Sequence, residues 1–211
     1  MKILSFALAL LLAPLPSHGR GGGGEGGASP AARATSNPPK KEKRMNAPSK
    51  STELKEARMR CETPAGWLES RDAASDQRTK TAGLTLREPG GGAAPRPFIH
   101  LRFYPDGNTL FKDAADYLAR QSEPAIAPIA GEKTVASAAS AGGLKGRRLL
   151  RDTFAPASPT DMSAAEIPVK EELVVLERAG GFYVLALTAR KGDFPRLQPA
   201  FRRLVESFKP L

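Results

Sequence analysis

The chain has 211 residues, 32 Lys plus Arg against 22 Asp plus Glu, a formal net charge of +10, and 40% hydrophobic residues. That length suits one domain of ordinary size with extra chain, rather than two domains. A single Cys excludes a disulfide framework within the chain, and two His argue against a multi-histidine metal site.

Residues 1–19 read as a secretory signal. Lys2 supplies the positive start, Ile3 to Ala13 is an apolar run broken only by Ser5, and Pro14 and Pro16 end it. Ser17 and Gly19 put small residues at the −3 and −1 positions of a cut after Gly19. The run is about eleven residues, against roughly 20 for a membrane-spanning helix. No Cys follows it closely, so acyl-lipid attachment there is not expected. A working signal places the mature chain in a periplasm or outside the cell; a short uncut anchor is the alternative.

Residues 20–61 read as a disordered basic linker rich in Gly, Ala, Pro and Lys. Residues 20–60 carry ten Lys or Arg and four Asp or Glu, which is +6 of the net charge. Such a composition buries too little apolar surface to offset the entropy of ordering it. Lys40, Lys41, Lys43 and Arg44 form the densest basic run. Basic runs bind nucleic acid, but an exported protein meets little of it, so no nucleic-acid partner is expected. Anionic lipid headgroups or acidic cell-wall polymers are the expected weak contacts, at up to about 1 kcal/mol per cation near a charged surface. A solvated linker is the alternative. Ser51 to Arg60 contains helix formers and reads as a short exposed helix, its Leu54, Ala57 and Met59 too sparse to pack firmly.

Residues 62–211 read as the folded domain, long enough for one good core. Pro64-Ala65-Gly66-Trp67 is an opening turn with Trp67 as anchor. Ala82 to Glu88 reads as a strand. Phe98 to Tyr104 alternates, with Ile99, Leu101 and Phe103 on one face and Phe98, His100, Arg102 and Tyr104 on the other. Thr109 to Arg120 reads as a helix capped by Asn108, with Leu110, Phe111, Ala114, Ala115 and Leu118 as its stripe. Gly131 to Ala136 is a short edge strand and Gly146 to Phe154 a longer one, followed by a loop over 155–165.

Val169 to Arg178 and Gly181 to Arg190 are strands joined by a tight turn at Ala179-Gly180-Gly181. Leu173 to Leu176 and Phe182 to Leu187 are apolar on both faces, which belongs in the middle of a covered sheet. Phe194 to Phe208 is a closing helix with Phe194, Leu197, Phe201, Leu204, Val205 and Phe208 on one stripe, capped by Asp193 or Gln198. The expected fold class is α+β, an α/β/α sandwich with a central, mostly antiparallel sheet and a helix on each face.

Four features of 62–211 are shared with a known family: Pro64-Ala65-Gly66-Trp67, the strand-loop-strand-helix run of 82–120, the double-apolar hairpin of 171–185, and the closing helix ending Ser207-Phe208-Lys209-Pro210. They resemble the PsbP-like family, which includes DcrB-type bacterial envelope proteins and the Ran-binding Mog fold. The resemblance implies the same sandwich and a non-enzymatic binding or assembly role in an envelope or lumen. It carries over no functional residue, because the matching positions are core positions.

The residues offer little chemistry. No Gly-x-Ser-x-Gly is present, and the Gly-rich loops lack phosphate-loop or dinucleotide spacing. Glu171 and Glu172 are adjacent on a strand and face opposite ways. His100 is the one histidine left after signal removal; it is either a general base or an ordinary strand residue. Cys61 sits at the linker boundary, where it links two chains or is incidental. Arg147 and Arg151 share a strand face, with Arg148 opposite, and are candidate contacts to an acidic partner. The resulting expectation is an exported, monomeric binding domain of the cell envelope with an unidentified protein partner and no cofactor. The alternatives are a secreted hydrolase using His100 and a structural envelope protein linked through Cys61.

Overall fold

The computed structural model describes residues 48–90, 95–122, 133–157 and 165–211. The signal, the linker up to residue 47 with Lys40, Lys41, Lys43 and Arg44, and parts of the connections at 91–94, 123–132 and 158–164 lie outside the described residues.

Two strands open the fold, β1 (Ser49–Leu54) and β2 (Met59–Pro64), joined by a turn in which Arg58 adopts φ 49°. This corrects the boundary at 61 and the helix expected over 51–60. Thr52 and Leu54 alternate inward on β1, and Met59, Cys61 and Thr63 do so on β2. Paired as strands, these few residues make one continuous buried face. As a helix they would have been scattered. Thr52 and Thr63, both buried, share a hydroxyl–hydroxyl hydrogen bond of 2.7 Å.

The chain continues through β3 (Leu68–Ser70), α1 (Ala73–Thr79), β4 (Ala82–Arg87) and β5 (Phe98–Pro105). Asp72 caps α1 by accepting from the Ser75 amide at 2.9 Å, and Lys80 ends it in the left-handed region. Next comes α2 (Ala114–Ser122). The expected helix start is five residues early. Asn108 Oδ1 does accept from the amides of Leu110 and Phe111, at 3.0 and 2.9 Å, but this closes a turn. Short polar side chains compete with helix in just this way. The helix is capped instead by Asp113, which accepts from the Asp116 amide at 2.8 Å. Its buried positions are Ala114 and Tyr117, and Ala115 is exposed.

The remaining elements are β6 (Lys133–Ala141), β7 (Leu144–Pro156), β8 (Glu166–Arg178), β9 (Gly181–Arg190), α3 (Phe194–Ser207) and β10 (Lys209–Pro210). Asp193 flanks α3 without a side-chain capping bond, and Gln198 lies within the helix rather than at its cap.

The large sheet is wholly antiparallel, in the order β3-β4-β5-β9-β8-β7-β6. A second sheet, β1-β2-β10, was not expected from the sequence. The two-faced strands β8 and β9 sit centrally, and parity assigns their residues. Val174, Leu176, Tyr183, Leu185 and Leu187 join one core with α3, β1 and β2. Leu173, Val175, Phe182, Val184 and Ala186 join the other with α2. Tyr104 stacks on Phe182 at 4.9 Å, and Phe111 and Tyr117 close around the pair. The fold is therefore α+β, with one helix packed on each face of the large sheet.

Candidate functional site

His100 lies on β5, on the sheet face that α2 covers, with Thr85 and Ala186 as its cross-strand neighbours. Its Nδ1 is 2.9 Å from Thr85 Oγ1, and the Phe98 ring meets it edge-on at 4.7 Å. Arg87 reaches over Phe98, and Arg102 follows two residues along the same face. Burial lowers the imidazole pKa to about 4, helped by the charges of Arg102 and then Arg87. Above that pH the ring is neutral and a weak base.

Arg102 is anchored elsewhere. Its Nη1 reaches Asp76 Oδ1 and Thr81 Oγ1, each at 3.2 Å. Asp76 also accepts from Thr81 Oγ1 at 3.1 Å and from the Gly83 amide at 3.2 Å. This ties α1 to β4 and β5 and was not anticipated from the sequence. Beside it opens a cleft of about 250 Å³, lined by residues including Leu54, Ala57, Arg71 and Asp76. Neither His100 nor Thr85 lines it. The hydrolase reading needs a hydroxyl in reach within a pocket. The hydroxyl is present, but neither it nor the ring lines this cleft, and the hydrogen bond described for the ring is to Thr85 and not to a carboxylate.

Cys61 is 2% exposed within the core beneath α3, and burial pushes its thiol up to about 12. This corrects the reading of a boundary thiol that links two chains. Its side chain faces inward on β2, so no second chain reaches it without unpacking the core.

The cations of β7 fall as parity requires. Arg148 faces α3 and lies 2.8 Å from Glu172, which also accepts from Gln198 at 2.8 Å. Arg151 faces α2, pairs with Glu171 at 3.2 Å, and donates to the Gln121 side chain at 2.6 Å. Glu171 and Glu172 thus serve opposite faces. Arg147 and Lys145 share the Arg151 face, and both are exposed. Lys145 was overlooked in the sequence, although it continues the same period of two. Among the described residues, no group of three or more His, Cys, Asp or Glu is placed to hold a metal ion. None of the described helices is long and apolar enough to cross a membrane.

No family model matches the chain, and no curated protein matches it. Several solved structures are similar to it. A Pseudomonas aeruginosa protein of unknown function is 20% identical, with a TM-score of 0.39 over 73% of this chain and 91% of that one. LpqN of Mycobacterium tuberculosis, involved in cell envelope biogenesis, is 18% identical, with a TM-score of 0.41 over 78% and 86%. Cyanobacterial PsbP from Synechocystis is 13% identical, with a TM-score of 0.46 over 78% and 94%.

Proposed function

We propose that this chain is an exported, non-enzymatic binding or assembly domain of the cell envelope, monomeric and carried on a basic flexible segment. The segment supplies reach and weak attraction to anionic lipid or cell-wall polymer through Lys40, Lys41, Lys43 and Arg44. The sheet supplies the surface for a protein partner.

The observation that carries this reading is how the reactive side chains are spent. The one thiol is sealed in a core, and the one imidazole of the domain is held neutral between strands. The exposed cations Lys145 and Arg147, by contrast, lie in a row on a sheet face. Such a division fits a surface that binds and a core that only supports it.

Cross-linking with pull-down from the intact envelope tests the proposal. The full mature chain is compared with one lacking 20–47, a cut that spares β1. The expected result is a specific protein captured by both, with weaker recovery for the shortened chain. Equal recovery would remove any role for the segment. Hydrolytic activity lost in His100→Ala would replace the binding reading with the enzymatic one.

A further inference from the structure

The large sheet ends in two unlike edges. At one end β3 is three residues long, and its Glu69 is ion-paired with Lys50 of the small sheet. A short strand held in a charged pair discourages further strand addition. At the other end β6 runs for nine residues, and Lys133 is its sole charge. Most of β6 is exposed, including Val135 at 49%. Its inner edge is paired with β7, and no described strand pairs with its outer edge. Alternate amide and carbonyl groups therefore point outward, ready to accept a strand.

What stands behind that edge selects the strand. Lys145, Arg147 and Arg151 occupy one face of β7, in register with Ser140, Ala138 and Thr134 of β6. Arg151 is engaged by Glu171 and Gln121; Lys145 and Arg147 are exposed. The small side chains at 138 and 140 leave the space above β6 open. The two long cations can lie across it toward a strand added outside, two strand spacings or roughly 9.6 Å from β7.

We infer that β6 accepts an extended acidic peptide, which adds as an eighth strand and sets carboxylates at alternate positions against Lys145 and Arg147. The inference rests on the protein-binding reading above and names the surface used. Main-chain hydrogen bonds give affinity, and alternate side chains give specificity. Charge decides the occupant. Residues 20–47 carry the Lys40–Arg44 run, and a second copy presents the same cations, so either would set like charges together.

The test titrates the full chain with fluorescent nine-residue peptides and reads anisotropy. One probe alternates Glu with Val, a second has Gln for Glu, a third Lys for Glu, and a fourth is the Glu probe N-methylated throughout. The Glu probe is expected to bind at least tenfold tighter than the Gln probe, and N-methylation to cost at least tenfold. Lys145→Glu with Arg147→Glu is expected to invert the preference toward the Lys probe. Equal binding of Glu and Gln probes, or no effect of N-methylation, overturns the inference without needing a variant. A dimer in sedimentation that the Glu probe cannot dissociate also overturns it. Undiminished capture of the same envelope protein by the double variant would remove this surface while leaving the protein-binding reading intact.

Discussion

The hydroxyl of Tyr183, in the middle of the large sheet, donates to the carbonyl of Arg58 at 2.8 Å across 125 residues of chain. Arg178 Nη1 donates to the same hydroxyl at 2.6 Å. The bond fixes the turn between β1 and β2 onto the central strand. Tyr183→Phe should cost about 1 kcal/mol, since the Arg58 carbonyl loses one of its two donors but keeps the Leu211 amide, and Arg178 loses one acceptor but keeps the Ala179 carbonyl. Denaturant unfolding measures the loss, and an unchanged midpoint would mean the turn is held by packing and the Leu211 amide without help from Tyr183.

The opening hairpin makes a sharper demand. Removing 1–47 should leave the unfolding midpoint unchanged, whereas removing 1–61 should abolish cooperative unfolding. The second deletion takes Leu54, Ala57, Met59 and Cys61 out of the α3-side core. Met59→Ala alone should cost about 2–5 kcal/mol. Thermal melts of the three variants decide the matter.

His100 gives the fold an acid sensitivity. Its pKa is about 4 folded, below the ordinary 6.5, so the unfolded chain binds the proton more tightly. The stability it contributes is whole above pH 6.5 and drains away as pH falls from there through about 4. The loss is at most about 3 kcal/mol. His100→Gln should flatten the stability profile across that window relative to the parent. Parallel curves for the two proteins would show that the imidazole does not titrate as placed.

Glu172 is buried on the α3 face of β8, between Arg148 and Gln198. Glu172→Ala takes the ion-pair partner from Arg148 and the acceptor from Gln198. Because Arg148 keeps partial access to water, the cost should be about 2 kcal/mol, below the 3–5 kcal/mol of a fully sealed pair. Replacing both charges, with Glu172→Leu and Arg148→Met, should recover most of it. A double-mutant cycle in denaturant reads the coupling.

Residues with strong periodicity announced their places. Leu173 to Leu176 and Phe182 to Leu187 could only be central, and the α3 stripe from Phe194 to Phe208 packs as its spacing requires. Weak stripes misled. Thr52, Leu54, Met59, Cys61 and Thr63 do alternate, but charged helix formers between them masked a period of two. Asn108 was a genuine cap signal, spent on a turn five residues early. The shared face of Arg147 and Arg151 follows from parity and was legible. Their setting was not, because which strand lies beside β7, and in what register, depends on pairing that no local pattern encodes.

The final two-residue strand closes beside β2, and the Leu211 amide donates to Arg58 at 2.8 Å. A polypeptide emerging head first therefore shows its greasy opening hairpin long before α3 and β10 arrive to cover it. The hairpin made first and the strand made last are thus fastened to each other, so this sheet closes only after the sequence between them has been made.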